Sequence, residues 1–334
     1  MSTIADVAAR AGVSKATASR ALSGRGYVSD ETRQRAQAAA TALAYVAHSS
    51  ATSLATGRTQ TVGVVMPRVD RWFFAEVLSG IQQALFALDY DLALYGVPDN
   101  ARSRERLFTT MLPRRRFDGI IAVGIQPDAV ELEHLRRAQR PLVSVGPYSD
   151  SVTSIAIDDR AAGRIATEHL IELGHTDIAF LGAAGTANAH SFGDARRIDG
   201  YREALASAGL SSVARVIETE PTMPGGYAAA AELLGDRRSR PTAIVGVCDE
   251  AAIGAMIATR RLGIAVPTEL SIVGIDDHQH AEMFALTTIR QAPRDQGVDA
   301  VRMLRERIDH PDAPLGSVVA SSALVVRAST AAPR

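Results

Sequence analysis

From residue 61 onward, short apolar runs alternate with stretches whose apolar residues recur at helical spacing, and no other feature constrains the fold so tightly. Thr61-Val62-Gly63-Val64-Val65-Met66 has the unbroken apolar character of a strand covered on both faces. Phe74, Val77, Leu78, Ile81, Leu85 and Leu88 then mark one face of a helix. Strand-like runs recur at residues 92–95, 119–123, 141–145, 178–181, 243–247 and 271–275. Strands separated by helices imply parallel sheets joined by right-handed crossovers. These are too many for one small sheet, and the extended run 152–157 before Asp158 offers a crossing point. The body is therefore expected to be two doubly wound α/β lobes with a cleft between them.

The first 60 residues have a different grammar. Thr3-Ile4-Ala5-Asp6 reads as an N-cap with a carboxylate three residues on, and Ile4, Val7, Ala8 and Ala11 follow on one helical face. Gly12 can end that helix in a left-handed conformation. Ser14 can cap a second helix, residues 15–22, with Ala18, Ala21 and Leu22 on its buried side. Ser29, followed by Asp30 and Glu31, opens a third through about Leu43, its acidic first turn matching the helix dipole. Three short helices with a tight turn between the first two form a helix-turn-helix arrangement.

Charge follows the same division. The net charge is −1, yet residues 1–58 carry seven basic side chains against three acidic ones, a surplus of +4 that leaves −5 on the rest. A small basic module on a larger acidic body suits nucleic-acid binding. Lys15, the single lysine of the chain, falls inside the second helix of that module.

A generic helix-turn-helix pattern is common, but the detailed run is specific. Thr3-Ile4-Ala5-Asp6-Val7-Ala8-Ala9-Arg10-Ala11-Gly12-Val13-Ser14-Lys15-Ala16-Thr17-Ala18-Ser19-Arg20-Ala21-Leu22 resembles the DNA-binding headpiece of the LacI/GalR family of bacterial transcription regulators. The likeness continues through Val28-Ser29-Asp30-Glu31-Thr32-Arg33, Leu43-Ala44-Tyr45 and Leu54. It extends over the body, with landmarks at Gly174-His175, Arg197-Ile198-Asp199-Gly200-Tyr201, Val266-Pro267, Gly274-Ile275-Asp276-Asp277 and Leu286-Thr287-Thr288-Ile289. The resemblance implies an α-helical headpiece over residues 1–47, a hinge helix and linker over 48–60, and a periplasmic-binding-protein-like core over 61–334. In that core one lobe is expected over about 61–160 and 291–320, the other over about 161–290, with a final crossover at 321–334.

The resemblance assigns base readout to Lys15, Ala16 and Arg20. An arginine can fork onto guanine, whereas the methyl of Ala16 makes only apolar contact. Ser14, Thr17, Ser19 and Tyr27 carry short or planar donors suited to phosphates; Thr17 and Ser19 fit equally as plain solvent-facing residues. Leu54 stands where the family places a wedge that opens a base step of the minor groove. Residues 48–57 are too short and too poor in helix formers to be helical alone. At the hinge entry the usual Pro-Asn is replaced by Ala47-His48.

Ligands of doubly wound folds bind beyond the carboxyl ends of the strands. Asp249 and Asp276 follow two such strands, Trp72, Phe73 and Phe74 open the helix after the first, and the resemblance adds Arg197 and Asp158. Carboxylates accept hydroxyl hydrogen bonds, arginine donates in pairs, and aromatic faces cover the apolar face of a sugar ring. Asp158 and Asp249 also fit as helix N-caps, and Phe73 or Phe74 as core. The expected partners are near-palindromic double-stranded operator DNA, a small-molecule effector of sugar type, and a second copy of the chain. Only seven residues follow Arg327, with no leucine heptad for a tetramerising coiled coil.

Enzymatic readings find no support. The sequence lacks G-x-S-x-G, G-x-x-x-x-G-K and H-E-x-x-H patterns, so no catalytic residue, metal or cofactor is expected. One cysteine, Cys248, cannot form an internal disulfide. With no signal-like or membrane-length apolar run, the expected location is the cytoplasm. A transport-linked sugar-binding protein would share the body but would carry a signal peptide and lack residues 1–58. A sugar-metabolising enzyme with a DNA-binding module would need a catalytic constellation.

Overall fold

The structure, a computed structural model, describes residues 2–23, 27–45, 58–97, 100–113, 117–146, 151–182 and 192–334. Residues 48–57 of the expected hinge, with Leu54, lie outside the described residues.

Helices α1 (Ile4–Ala11), α2 (Lys15–Ser23) and α3 (Asp30–Ala42) form the headpiece. Thr3 and Asp6 make a reciprocal capping box on α1, and Gly12 ends the helix at φ 67°. Ser14 Oγ accepts from the Thr17 amide at 3.1 Å, and Ser29 Oγ accepts from the Thr32 amide at 3.3 Å, so each following helix also starts on a serine cap. Val7, Ala11, Ala21, Ala36 and Ala39 bury together, with Val13, Leu22, Val28, Leu43 and Tyr45 packed around them. The many alanines let three short helices approach closely enough to exclude water.

The core contains two six-stranded sheets. The first holds β1 (Thr61–Met66), β2 (Asp91–Gly96), β3 (Gly119–Val123), β4 (Leu142–Val145), β5 (Thr153–Ala156) and β11 (Ser317–Val319) in the order β11-β5-β4-β3-β1-β2. The second holds β6 (Ile178–Leu181), β7 (Arg215–Ile217), β8 (Ala243–Gly246), β9 (Ser271–Asp276), β10 (Thr287–Arg290) and β12 (Ala323–Val325) in the order β12-β10-β9-β8-β6-β7. Every pairing is parallel except that of β12 with β10. The central strands are buried along their length, as expected for sheets covered by helices on both faces.

Helices α4 (Trp72–Phe86), α5 (Ala101–Arg106) and α6 (Ala129–Arg137) belong to the first lobe, and α7 (Asp159–Glu172), α8 (Phe192–Ser207), α9 (Met223–Gly235) and α10 (Asp249–Leu262) to the second. Helix α11 (Pro293–Asp309) follows β10 of the second sheet but packs on α4 of the first lobe. The chain thus passes between lobes after β5, after β10 and after β11. At the last crossing the Ala320 amide donates to the Ala156 carbonyl at 2.8 Å, tying it to the first. Both sheets therefore present their carboxyl ends to one cleft.

Candidate functional site

On the headpiece, Lys15, Ala16, Ser19 and Arg20 are exposed while Ala18 and Ala21 are buried, so α2 turns one continuous face outward. Arg20 Nε donates to the Ala16 carbonyl at 3.3 Å, which lays its guanidinium along that face. Ser14 and Thr17 bond each other at 2.9 Å as part of the helix cap, and Thr17 is half-buried. Tyr27 is 95% exposed. The face is short, basic and free of internal ion pairs among the described residues.

In the core, a cleft opens between the lobes, with about 640 Å³ of empty space that includes its opening to solvent. Arg71, Phe73 and Phe74 from the start of α4 form one wall, and Asp159, Asp194 and Arg197 from α7 and α8 face them. Gly124 and Gly146, just beyond β3 and β4, form the floor. Gly124 has φ +63°, and a Cβ there would run into the Phe74 ring. A glycine here therefore serves both the turn and the ring beside it.

Arg197 organises the polar wall. Its Nε donates to Asp159 Oδ1 at 2.9 Å, its Nη1 to the Val247 carbonyl at 2.6 Å, and its Nη2 lies 3.7 Å from Asp276 Oδ1. Burial acts against its charge, but Asp159, Asp276 and Asp194 outweigh that and hold its pKa above the ordinary arginine value. Asp276 ends β9 at φ +130°, a conformation few side chains adopt, and accepts from Gln291 Nε2 at 2.6 Å. Burial raises its pKa, opposed by Arg197. Asp194 has no hydrogen bond among the described residues, and burial pushes its carboxyl up to about 6 against the pull of Arg197 and Arg71. Gln291 and Gln296 complete the wall.

Arg71 lies on the lobe boundary. From the first lobe it reaches Glu250 at 3.4 Å and Cys248 Sγ at 3.6 Å in the second, with its guanidinium over the Phe74 ring. Trp72 likewise lies against His278, ring centroids 4.9 Å apart.

Of the residues expected at this site, Phe73, Phe74, Arg197 and Asp276 line the cavity. Three do not. Asp158 caps α7 by accepting from the Ala161 amide at 3.0 Å, and its neighbour Asp159 takes the inward place. Asp249 is wholly buried beneath the wall, accepting from Thr288 Oγ1 at 2.6 Å and the His278 amide at 2.8 Å. Trp72 is outside the lining and packs against His278 instead. Arg71, Asp159, Asp194, Gln291 and Gln296 were absent from the sequence expectation. Asp159 and Gln291 had a signal, since each adjoins a crossing between strands and helices; Arg71, Asp194 and Gln296 had none.

Comparison with known proteins agrees with this anatomy. Residues 3–48 match the family model for bacterial regulatory proteins of the lacI family, and residues 167–330 that for a periplasmic binding protein-like domain. The HTH-type transcriptional regulator DegA of Bacillus subtilis is 32% identical over 336 residues, covering 98% of each chain. The HTH-type transcriptional repressor PurR of Erwinia tasmaniensis is 32% identical, covering 92% of this chain and 91% of its own. Among solved structures, the lac repressor dimer bound to operator and the anti-inducer ONPF superposes with a TM-score of 0.88 at 26% identity, covering 99% of both chains. The complex of the transcriptional regulator CelR with cellobiose gives 0.70 at 29% identity, covering 98% of this chain and 100% of that one. The chain belongs to the lacI family of bacterial regulatory proteins, as a DNA-binding transcriptional regulator and not an enzyme.

Proposed function

We propose that the interlobe cavity takes a neutral sugar and that its occupation lowers the affinity of the headpiece for an operator, making the protein a repressor released by its effector. One observation carries the ligand class. Arg197 gives Nε to Asp159 and Nη1 to the Val247 carbonyl, whereas Asp194 accepts no hydrogen bond and Asp159 and Asp276 each leave Oδ2 unused among the described residues. The wall therefore offers acceptors, and Phe73 and Phe74, at 5.5 Å between ring centroids, offer aromatic surface beside them. A sugar brings hydroxyl donors to the first and a C–H face to the second. A dianionic phosphate would be desolvated beside carboxylates, which disfavours it. CelR with cellobiose and an Enterococcus faecium regulator with bound ribose, the latter with a TM-score of 0.72 at 25% identity over 82% of this chain and 100% of that one, lie in the same direction.

For the DNA side, the reading gives Lys15, Ala16 and Arg20 to base edges, Ser14, Thr17, Ser19 and Tyr27 to phosphates, and Leu54 to a minor-groove wedge. Two headpieces of a homodimer would address the halves of a near-palindrome. Phe86 and Met283 are 84% and 78% exposed, large apolar side chains of the kind a second copy would cover. No helix among the described residues is long and apolar enough to cross a membrane. On this reading the working protein meets its operator in the cytoplasm.

Calorimetry with cellobiose, ribose, other neutral sugars, sugar phosphates and purines tests the ligand class. Arg197→Ala and Asp276→Ala should give proteins that bind operator near wild-type strength but ignore the sugar. Tight binding of a sugar phosphate or a purine, unaffected by loss of Asp276, would overturn the reading.

A further inference from the structure

Three buried side chains from three parts of the core form one directional chain of hydrogen bonds along the cavity wall. Gln296 Nε2, on α11 of the first lobe, donates to Gln291 Oε1 at 3.0 Å. Gln291 Nε2, on the second crossing between lobes, donates to Asp276 Oδ1 at 2.6 Å, at the end of β9 in the second lobe. Gln296 is 2% exposed and Gln291 6%, so each depends chiefly on protein partners. We infer that Gln296 is a positioning residue of the effector site: it fixes which way the Gln291 amide faces, and through it holds Asp276 with one oxygen toward the cavity and the two lobes in register.

The direction follows from chemistry. Asp276 Oδ1 faces the Arg197 guanidinium at 3.7 Å, so this oxygen carries no proton and can only accept, and Gln291 must turn its NH₂ to it and its own oxygen away. That oxygen then needs a donor, and Gln296 is the donor it meets. The carboxylate so held sits on strained backbone. Asp276 keeps φ +130°, a conformation that persists only where surroundings enforce it. Gln291 holds it twice, since its own amide also donates to the Asp276 carbonyl at 3.4 Å. The relay runs from first lobe to crossing to second lobe, so it is complete only when the lobes stand in this relation. The inference rests on the cavity being the effector site, but its test needs no ligand and can fail independently of the sugar screen.

Gln296→Glu places acceptors at both ends of the relay and leaves Gln291 able to satisfy one. Asp276→Asn in that background lets the relay run backwards, from the new amide through Gln291 to the new carboxylate. Asp276→Leu removes the same charge but supplies no donor. The readouts are the urea midpoint and the emission of Trp72, the single tryptophan of the chain, which faces His278 across the lobe boundary. At pH 8 Gln296→Glu should lower the midpoint and shift the emission, and Asp276→Asn should restore both where Asp276→Leu does not. Lowering the pH toward 5 should also restore them, because a protonated carboxyl can donate to Gln291. Gln296→Leu, which carries no proton to regain, should stay impaired at every pH, and keeps the comparison open if the glutamate variant folds poorly. Equal losses for Gln296→Glu and Gln296→Leu in all backgrounds and at all pH values, or equal rescue by Asp276→Asn and Asp276→Leu, would overturn the inference.

Discussion

Asp249 is wholly buried, and burial followed by the nearby charge of Asp276 pushes its carboxyl up to about 8. An unfolded chain gives up the same proton near the ordinary value, ~3.9. Between those values the folded state binds the extra proton, so stability is greatest at the acid end and falls as pH rises through the window. The slope approaches ~1.4 kcal/mol per pH unit for such a group. Asp194, held up to about 6, adds to the lower part of the window. Asp249→Asn should flatten the profile, with little change near pH 5 and a gain near pH 9, read from urea unfolding at several pH values. Parallel profiles for the two proteins would show that the carboxyl does not hold its proton. The same residue marks a limit of reading by sequence. A carboxylate after a strand looks alike whether it faces a cavity or, like Asp249, takes bonds from Thr288 and His278 beneath one. Adjacent Asp158 and Asp159 pose the same problem: a one-residue step decides which caps the helix and which meets Arg197.

Helix pairs in the core meet through reciprocal glycines: Gly80 and Gly297 between α4 and α11, Gly163 and Gly200 between α7 and α8, and Gly226 and Gly254 between α9 and α10. A Cβ on any of them would strike backbone of the opposing helix. Gly163 meets the carbonyl of Arg197 itself, so this contact sets the crossing that brings Arg197 to 2.9 Å from Asp159. Gly163→Ala should force the helices apart, costing about 1–3 kcal/mol and weakening effector binding with it. Gly235→Ala is the matched control, because a Cβ there meets nothing within 4 Å and alanine is the better helix former by up to ~1 kcal/mol. Thermal unfolding and effector titration of both variants check this; equal behaviour would detach the crossing from the site. The helices themselves were legible, since periodicity of Phe74, Val77, Ile81 and Leu85 depends on neighbours in sequence. Which glycine meets which helix depends on partners far apart in the chain, and so was not. Gln296 was hidden for the same reason, its meaning supplied by Gln291 and Asp276 together.

Across the whole chain, charge is divided between a +4 N-terminal module and a −5 remainder, which directs polyanion binding to the headpiece. Affinity for duplex DNA should therefore fall with salt, with a log–log slope of about −0.9 for each phosphate neutralised. One headpiece buries too little surface to discriminate well, so a symmetric operator should bind far more tightly than its half. Two side chains separate reading from bending within that affinity. Arg20→Ala should relax discrimination at one base by about 1–3 kcal/mol while leaving the salt slope almost unchanged, because a base contact releases no counterion. Leu54→Ala should weaken specific binding alone, because an apolar wedge offsets the unstacking of a base step, about a few kcal/mol, and nonspecific duplex is not unstacked. Gel-shift titrations of the full-length variants on full site, half site and random duplex, across ionic strength, measure all of these. A half site bound as tightly as the full one would remove the dimer from the account. Loss of folding in Arg20→Ala and Leu54→Ala, with operator preference intact in the folded fraction, would make both residues structural.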